Sequence, residues 1–114
     1  MRLTMVGTGY VGLVTGVCFS NTGNDVVCLD VDQRKIDTLK SGGCPIYEPG
    51  LTELMEKNVK AGRLAFTTAP EKAYRDAQMI FICVGTPTGE NGDTDMKYVW
   101  SAADDIAKVI KALG

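Results

Sequence analysis

The feature that most constrains this chain is the run Gly7-Thr8-Gly9-Tyr10-Val11-Gly12. It follows the short apolar run Arg2-Leu3-Thr4-Met5-Val6, and helical periodicity continues from Leu13 to Ser20. A second β-type run, Val26-Val27-Cys28-Leu29, then ends at Asp30. G-x-G-x-x-G alone is a weak signal. Between a predicted strand and a predicted helix, with an acid at the tip of the next strand, it becomes informative.

Each position has a physical task in that setting. Gly7 permits the tight turn out of the strand, Gly9 leaves room for a pyrophosphate against the backbone, and Gly12 lets the helix pack closely on the sheet. The helix that follows presents unpaired N–H groups and a positive dipole end to phosphate at its N-terminus, with Tyr10 and Val11 counted among the cofactor-binding residues. Asp30 follows at about 20 residues, where a carboxylate accepts hydrogen bonds from a ribose diol. The competing reading is a glycine turn in an α/β protein that binds nothing; the surrounding context favours a dinucleotide site.

Length and composition bound the rest. The 114 residues suffice for one domain, 1–114, with one core. Net charge is −2, which suggests neither a nucleic-acid surface nor an anionic-membrane surface. The longest apolar runs are too short for a membrane span, and no charged-then-apolar leader precedes the first strand, so a cytoplasmic setting is expected. Histidine is absent, which removes Ser-His and Cys-His chemistry and most zinc sites from the chain itself. Cys18, Cys28 and Cys83 are expected as small core residues, and Cys44 as a more exposed loop residue.

Along the chain, Asp32 is a plausible N-cap for a helix carrying Ile36 and Leu39 inward, stopped at Ser41-Gly42-Gly43. Cys44 to Glu48 is a loop. Pro49 suits the first turn of a helix running from Leu51 to Ala61 and ended by Gly62. Leu64 to Thr68 is a strand, Pro70 to Asp76 a short helix, and Met79 to Val84 an apolar strand of the kind covered on both faces. From Met96 onward, Val99, Ala103, Ile106, Ile110 and Leu113 form the predicted buried stripe of a last helix. Alternating strands and helices predict an α/β fold, a Rossmann-type parallel sheet with helices on both faces and strand order 3-2-1-4.

Three further groups are weighed against plainer explanations. Lys35, one turn into the second helix, could reach the ribose or phosphate edge of a dinucleotide; from its position alone a solvated helix lysine is the better reading. Arg34 and Lys35 raise the possibility of a 2′-phosphate, but the Asp30 carboxylate would repel one, so NAD is expected over NADP. Thr86, in Val84-Gly85-Thr86-Pro87-Thr88 after the fourth strand, lies where such sheets bind ligands and could contact the cofactor. The acid-rich Glu90-Asn91-Gly92-Asp93-Thr94-Asp95 lacks the ligand order of a calcium loop and reads as a surface loop, with Asp93 or Asp95 capping the last helix.

Four stretches in order now carry a resemblance: Gly7-Thr8-Gly9-Tyr10-Val11-Gly12-Leu13, Leu29-Asp30-Val31-Asp32 with Lys35-Ile36, Pro45-Ile46-Tyr47-Glu48-Pro49-Gly50-Leu51, and Val84-Gly85-Thr86-Pro87. Together they resemble the N-terminal NAD-binding domain of the UDP-glucose/GDP-mannose dehydrogenase family over the whole chain. Tyr47 leans toward its UDP-glucose members, with GDP-mannose and UDP-N-acetylmannosamine members as alternatives. The resemblance implies NAD-dependent, two-step oxidation of a sugar C6 alcohol to a carboxylate, giving UDP-glucuronate from UDP-glucose in the full-length enzyme. It implies cofactor contacts at Val11, Asp30, Lys35 and Thr86, and so moves Lys35 to the cofactor. The family's catalytic cysteine, lysine, asparagine and aspartate lie in later parts of a longer chain, so none is assigned here, and neither Cys44 nor Cys83 stands in for the nucleophile. The expected partners are NAD and further copies of the chain. A nucleotide-binding module without chemistry of its own remains the alternative class.

Overall fold

The computed structural model describes residues 1–44, 48–84 and 96–113, with the Leu113 side chain excepted. The elements are β1 (Arg2–Val6), α1 (Tyr10–Asn21), β2 (Asp25–Leu29), α2 (Gln33–Lys40), α3 (Leu51–Lys60), β3 (Leu64–Thr67), α4 (Pro70–Tyr74), β4 (Met79–Ile82) and α5 (Lys97–Leu113). The four strands form one parallel sheet in the order β3-β2-β1-β4, as the alternation of elements predicts.

Strand alternation explains how the sheet is covered. On β1 and β2, Leu3, Met5, Val26 and Cys28 point to one face, where they pack with Leu13 and Val17 of α1, Ile36 and Leu39 of α2, and Leu51 and Met55 of α3. Val6 and Leu29 point to the other face and meet Ala73 and Tyr74 of α4 and Ala102 and Val109 of α5. Thr4, on this second face, donates its hydroxyl to the Ala73 carbonyl and so ties β1 to α4. Both central strands are thus buried on two sides, which suits their Val/Leu/Met-rich composition.

Several sequence expectations are corrected. α1 begins at Tyr10, not Leu13, so Gly12 lies inside its first turn. Pro49 stands outside α3, because Gly50 is the N-cap and takes a left-handed φ of 82° that breaks the helical path before Leu51. Cys18 is exposed on the outer side of α1, since its position faces away from the sheet that buries Gly16 and Val17. The expected stripe on α5 is displaced: Ala102 and Val109 are buried, whereas Ala103 and Ile110 are exposed. β4 is covered only in part: Phe81 packs against the first core and Ile80 against the second. It pairs only with β1 among the described residues, and Met79 and Ile82 remain exposed. The expected Asp32 cap is present, its carboxylate accepting from the Arg34 N–H at 2.9 Å. The proposed caps Asp93 and Asp95 lie outside the described residues.

Candidate dinucleotide site

The site forms where β1 and β2 end side by side. Their parallel register sets Val6 against Leu29, so the turn after β1 lies beside Asp30. The Gly7 N–H donates to the Leu29 carbonyl at 2.7 Å and anchors the turn to β2. Gly7 has φ +104°, and a Cβ there would lie 2.6 Å from the Cys83 carbonyl oxygen. A Cβ on Gly12 would lie 2.1 Å from the Gly7 oxygen, inside any allowed contact. The fold itself therefore requires glycine at both positions.

Gly9 differs. Its φ is −73°, open to any residue, and an added Cβ meets no atom within 4 Å. Nothing among the described residues demands glycine there. The bare backbone at the entrance of α1 fits the close approach of an anion, and the first N–H groups of a helix have no partner within it.

Asp30 is half-buried and held by three donors. Its Oδ2 accepts from the Thr8 N–H at 2.9 Å and the Thr8 hydroxyl at 2.7 Å, and its Oδ1 accepts from the Asp32 N–H at 3.0 Å. Burial pushes its pKa up, but the Asp32 N–H, the Thr8 hydroxyl and N–H, and the Lys35 charge together outweigh burial and hold it below the usual carboxylate range. The carboxylate is thus an oriented anion with acceptor capacity to spare on Oδ1.

A cleft of about 400 Å³ opens above these residues. Gly7, Thr8, Gly9, Asp30 and Lys35 line one side, and Tyr74, Tyr98, Ser101 and Asp105 of α4 and α5 line another. The structure therefore brings Gly7, Gly9, Asp30 and Lys35 together. It does not place the Tyr10 and Val11 side chains on that wall: both are exposed, and the Tyr10 hydroxyl donates instead to Glu48 Oε2 at 2.9 Å. That bond to a carboxylate, with the Glu48 charge beside it, raises the Tyr10 pKa. Gly12 acts beneath the site, as a packing residue under the turn. Thr86 lies outside the described residues.

Sequence reasoning missed Thr8 and the α4–α5 wall. Thr8 had a signal: the residue next to the first glycine of such a turn is carried by the parallel register toward the tip of the neighbouring strand. The wall had none, because it depends on how α5 returns over the sheet. Its Tyr74 hydroxyl is buried without a hydrogen-bond partner among the described residues, and burial, with the Asp105 charge adding, pushes its pKa up to about 12. Burial likewise pushes the Cys28 thiol up to about 12 and raises that of Cys83 at the cleft, which disfavours the thiolate a nucleophile needs.

Known proteins agree with this geometry. Residues 1–113 match the family described as UDP-glucose/GDP-mannose dehydrogenase family, NAD binding domain. The chain is 51% identical over 108 residues to a UDP-glucose 6-dehydrogenase of Rhizobium meliloti (strain 1021), covering 94% of this chain and 25% of the relative. It is 50% identical over 111 residues to a UDP-glucose 6-dehydrogenase of Bacillus subtilis (strain 168), covering 97% of this chain and 25% of the relative. A GDP-mannose dehydrogenase from Pseudomonas aeruginosa, solved as a ternary complex, superposes with TM-score 0.93 at 43% identity, covering 96% of this chain and 25% of that one. The chain spans about a quarter of the length of the curated relatives it matches. The glycine turn, the anchored Asp30 and the match over residues 1–113 converge: the chain belongs to the UDP-glucose/GDP-mannose dehydrogenase family, of which it carries the NAD-binding domain.

Proposed function

We propose that residues 1–114 act as the cofactor unit of an NAD-dependent nucleotide-sugar 6-dehydrogenase, whose full-length form oxidises UDP-glucose to UDP-glucuronate with two NAD. The observation that carries the reading is Gly9. No described residue crowds a side chain there, so the bare backbone is left open to the close approach of a ligand. In this reading the pyrophosphate lies over Gly9 against the N–H groups of Tyr10, Val11 and Gly12. Asp30 accepts from the adenosine ribose, Lys35 lies alongside, and Thr86, in the sequence that follows β4, contacts the cofactor. NAD, when bound, supplies the hydride acceptor for each two-electron oxidation. The chain's own residues bind and orient it, and none is assigned a catalytic role.

A second sugar stays in play because a GDP-mannose dehydrogenase superposes so closely. Assaying the full-length enzyme with UDP-glucose, GDP-mannose and UDP-N-acetylmannosamine decides between them: NADH production with UDP-glucose in clear excess is expected, and preference for another sugar overturns the substrate. Cytoplasmic placement is part of the proposal. It is supported by thiols at Cys18, Cys28 and Cys83, and by the lack of any described helix long and apolar enough to cross a membrane. So is association with further copies, supported by the exposed Met79 and Ile82 on β4 and Trp100 and Ile110 on α5. Titration of the folded chain with NADH tests the cofactor role: saturable binding is expected, and none at millimolar NADH contradicts it.

A further inference from the structure

We propose that Thr8 is a positioning residue that sets cofactor choice, by fixing the Asp30 carboxylate so that NAD is accepted and a 2′-phosphorylated dinucleotide is refused. The inference rests on reading Asp30 as the ribose acceptor. Thr8 is buried, with 2% of its surface exposed, so its hydroxyl requires a partner inside the protein. That partner is Asp30 Oδ2, at 2.7 Å, and the Thr8 N–H reaches the same oxygen at 2.9 Å. With the Asp32 N–H on Oδ1 at 3.0 Å, both ends of the carboxylate are pinned.

A carboxylate offers about four lone-pair positions, and the described residues fill three. The open one is on Oδ1, so Thr8 decides which oxygen faces a ligand. Holding Oδ2 also keeps the negative charge at the rim of the cleft, beside Lys35. Without the Thr8 hydroxyl, Oδ2 keeps only the Thr8 N–H as donor, and the carboxylate is held less firmly about its side-chain torsions. Its orientation toward a ribose hydroxyl is then weakened, and with it the screening of Lys35 from a 2′-phosphate. Thr8 thus acts through Asp30 and touches no reacting atom.

The test compares NADH and NADPH binding to the wild-type chain and to Thr8→Val, which keeps the shape and removes the donor. The NADH preference is expected to fall roughly tenfold, the change supported by one hydrogen bond to a charged group. Thr8→Ser, which restores the hydroxyl, is expected to keep the preference. Thr8→Ala gives the same reading as valine if the valine variant does not fold. In an Asp30→Asn background, Thr8→Val is expected to change the preference much less than in wild type. A folded Thr8→Val or Thr8→Ala chain that weakens NADH and NADPH equally, or leaves the ratio unchanged, overturns the role of Thr8 while leaving the cofactor reading intact. A folded wild-type chain that binds neither dinucleotide overturns both.

Discussion

Gly9 and Gly12 share a motif but answer to different demands, and substitution separates them. Gly9→Val meets no atom of the described residues at its Cβ and needs no unusual backbone, so the melting temperature is expected to stay close to wild type while NADH binding is lost. Gly12→Ala drives a methyl into the Gly7 carbonyl, so it is expected to destabilise the fold by several kcal/mol, of the order reached by severe steric changes in cores. Thermal melts of both variants with NADH titration of the soluble one check the pair. Asp30→Ala is expected to weaken NADH by about 1.5–3 kcal/mol for each ribose hydrogen bond lost, measured as a ratio of dissociation constants. Asp30 also links pH to stability. Its folded pKa is depressed, so its contribution is fully present above the unfolded carboxylate value of about 3.9 and is lost as pH falls through the folded pKa. The melting-temperature gap between wild type and Asp30→Asn should therefore be largest near neutrality and close in strong acid. At this scale the sequence was readable where the requirement is local. The turn glycines and Asp30 follow from backbone geometry at fixed spacing, whereas the Thr8–Asp30 bonds appear only once β1 and β2 are placed in register.

α5 shows where reading by element falls short. Two helical stripes pass through Ile106: one through Val99, Ala103 and Ile110, the other through Ala102 and Val109. The first carries more large apolar side chains and is the natural choice from sequence. The helix buries the second, because Ala102 is small enough to let α5 approach α4, where Ala73 and Tyr74 wait. Which face a helix buries depends on the surface opposite it, and that surface is set by α4 far earlier in the chain. Val109→Ala is accordingly expected to cost roughly 1–2 kcal/mol, the value of two buried methyl groups, while Ile110→Ala, whose side chain is 60% exposed, should change stability by less than about 0.5 kcal/mol. Urea melts of the two variants measure this directly. α1, by contrast, was legible as an element from the sequence, although its start at Tyr10 and the exposure of Cys18 were not.

At the scale of the whole molecule, the sheet has one edge at β3 and the other at β4 among the described residues. Met79 and Ile82 on β4 are 47% and 39% exposed, and Trp100 on α5 is 64% exposed. Apolar strand edges and contiguous apolar patches recruit other chains, so the isolated chain is expected to self-associate with rising concentration. Sedimentation should show species heavier than a monomer, and Met79→Lys should shift the distribution toward the monomer. A clean monomer at high concentration contradicts this. The isolated chain should also produce no NADH from UDP-glucose, because it spans about a quarter of the length of its relatives and burial disfavours the thiolate at Cys28 and Cys83. The measurement that bears most directly on the central claim is calorimetric titration of the folded chain with NADH, run beside folded Gly9→Val. Saturable binding by wild type and none by the variant is the predicted result; a folded wild-type chain with no saturable binding at millimolar NADH, or a Gly9→Val chain that binds equally well, contradicts it.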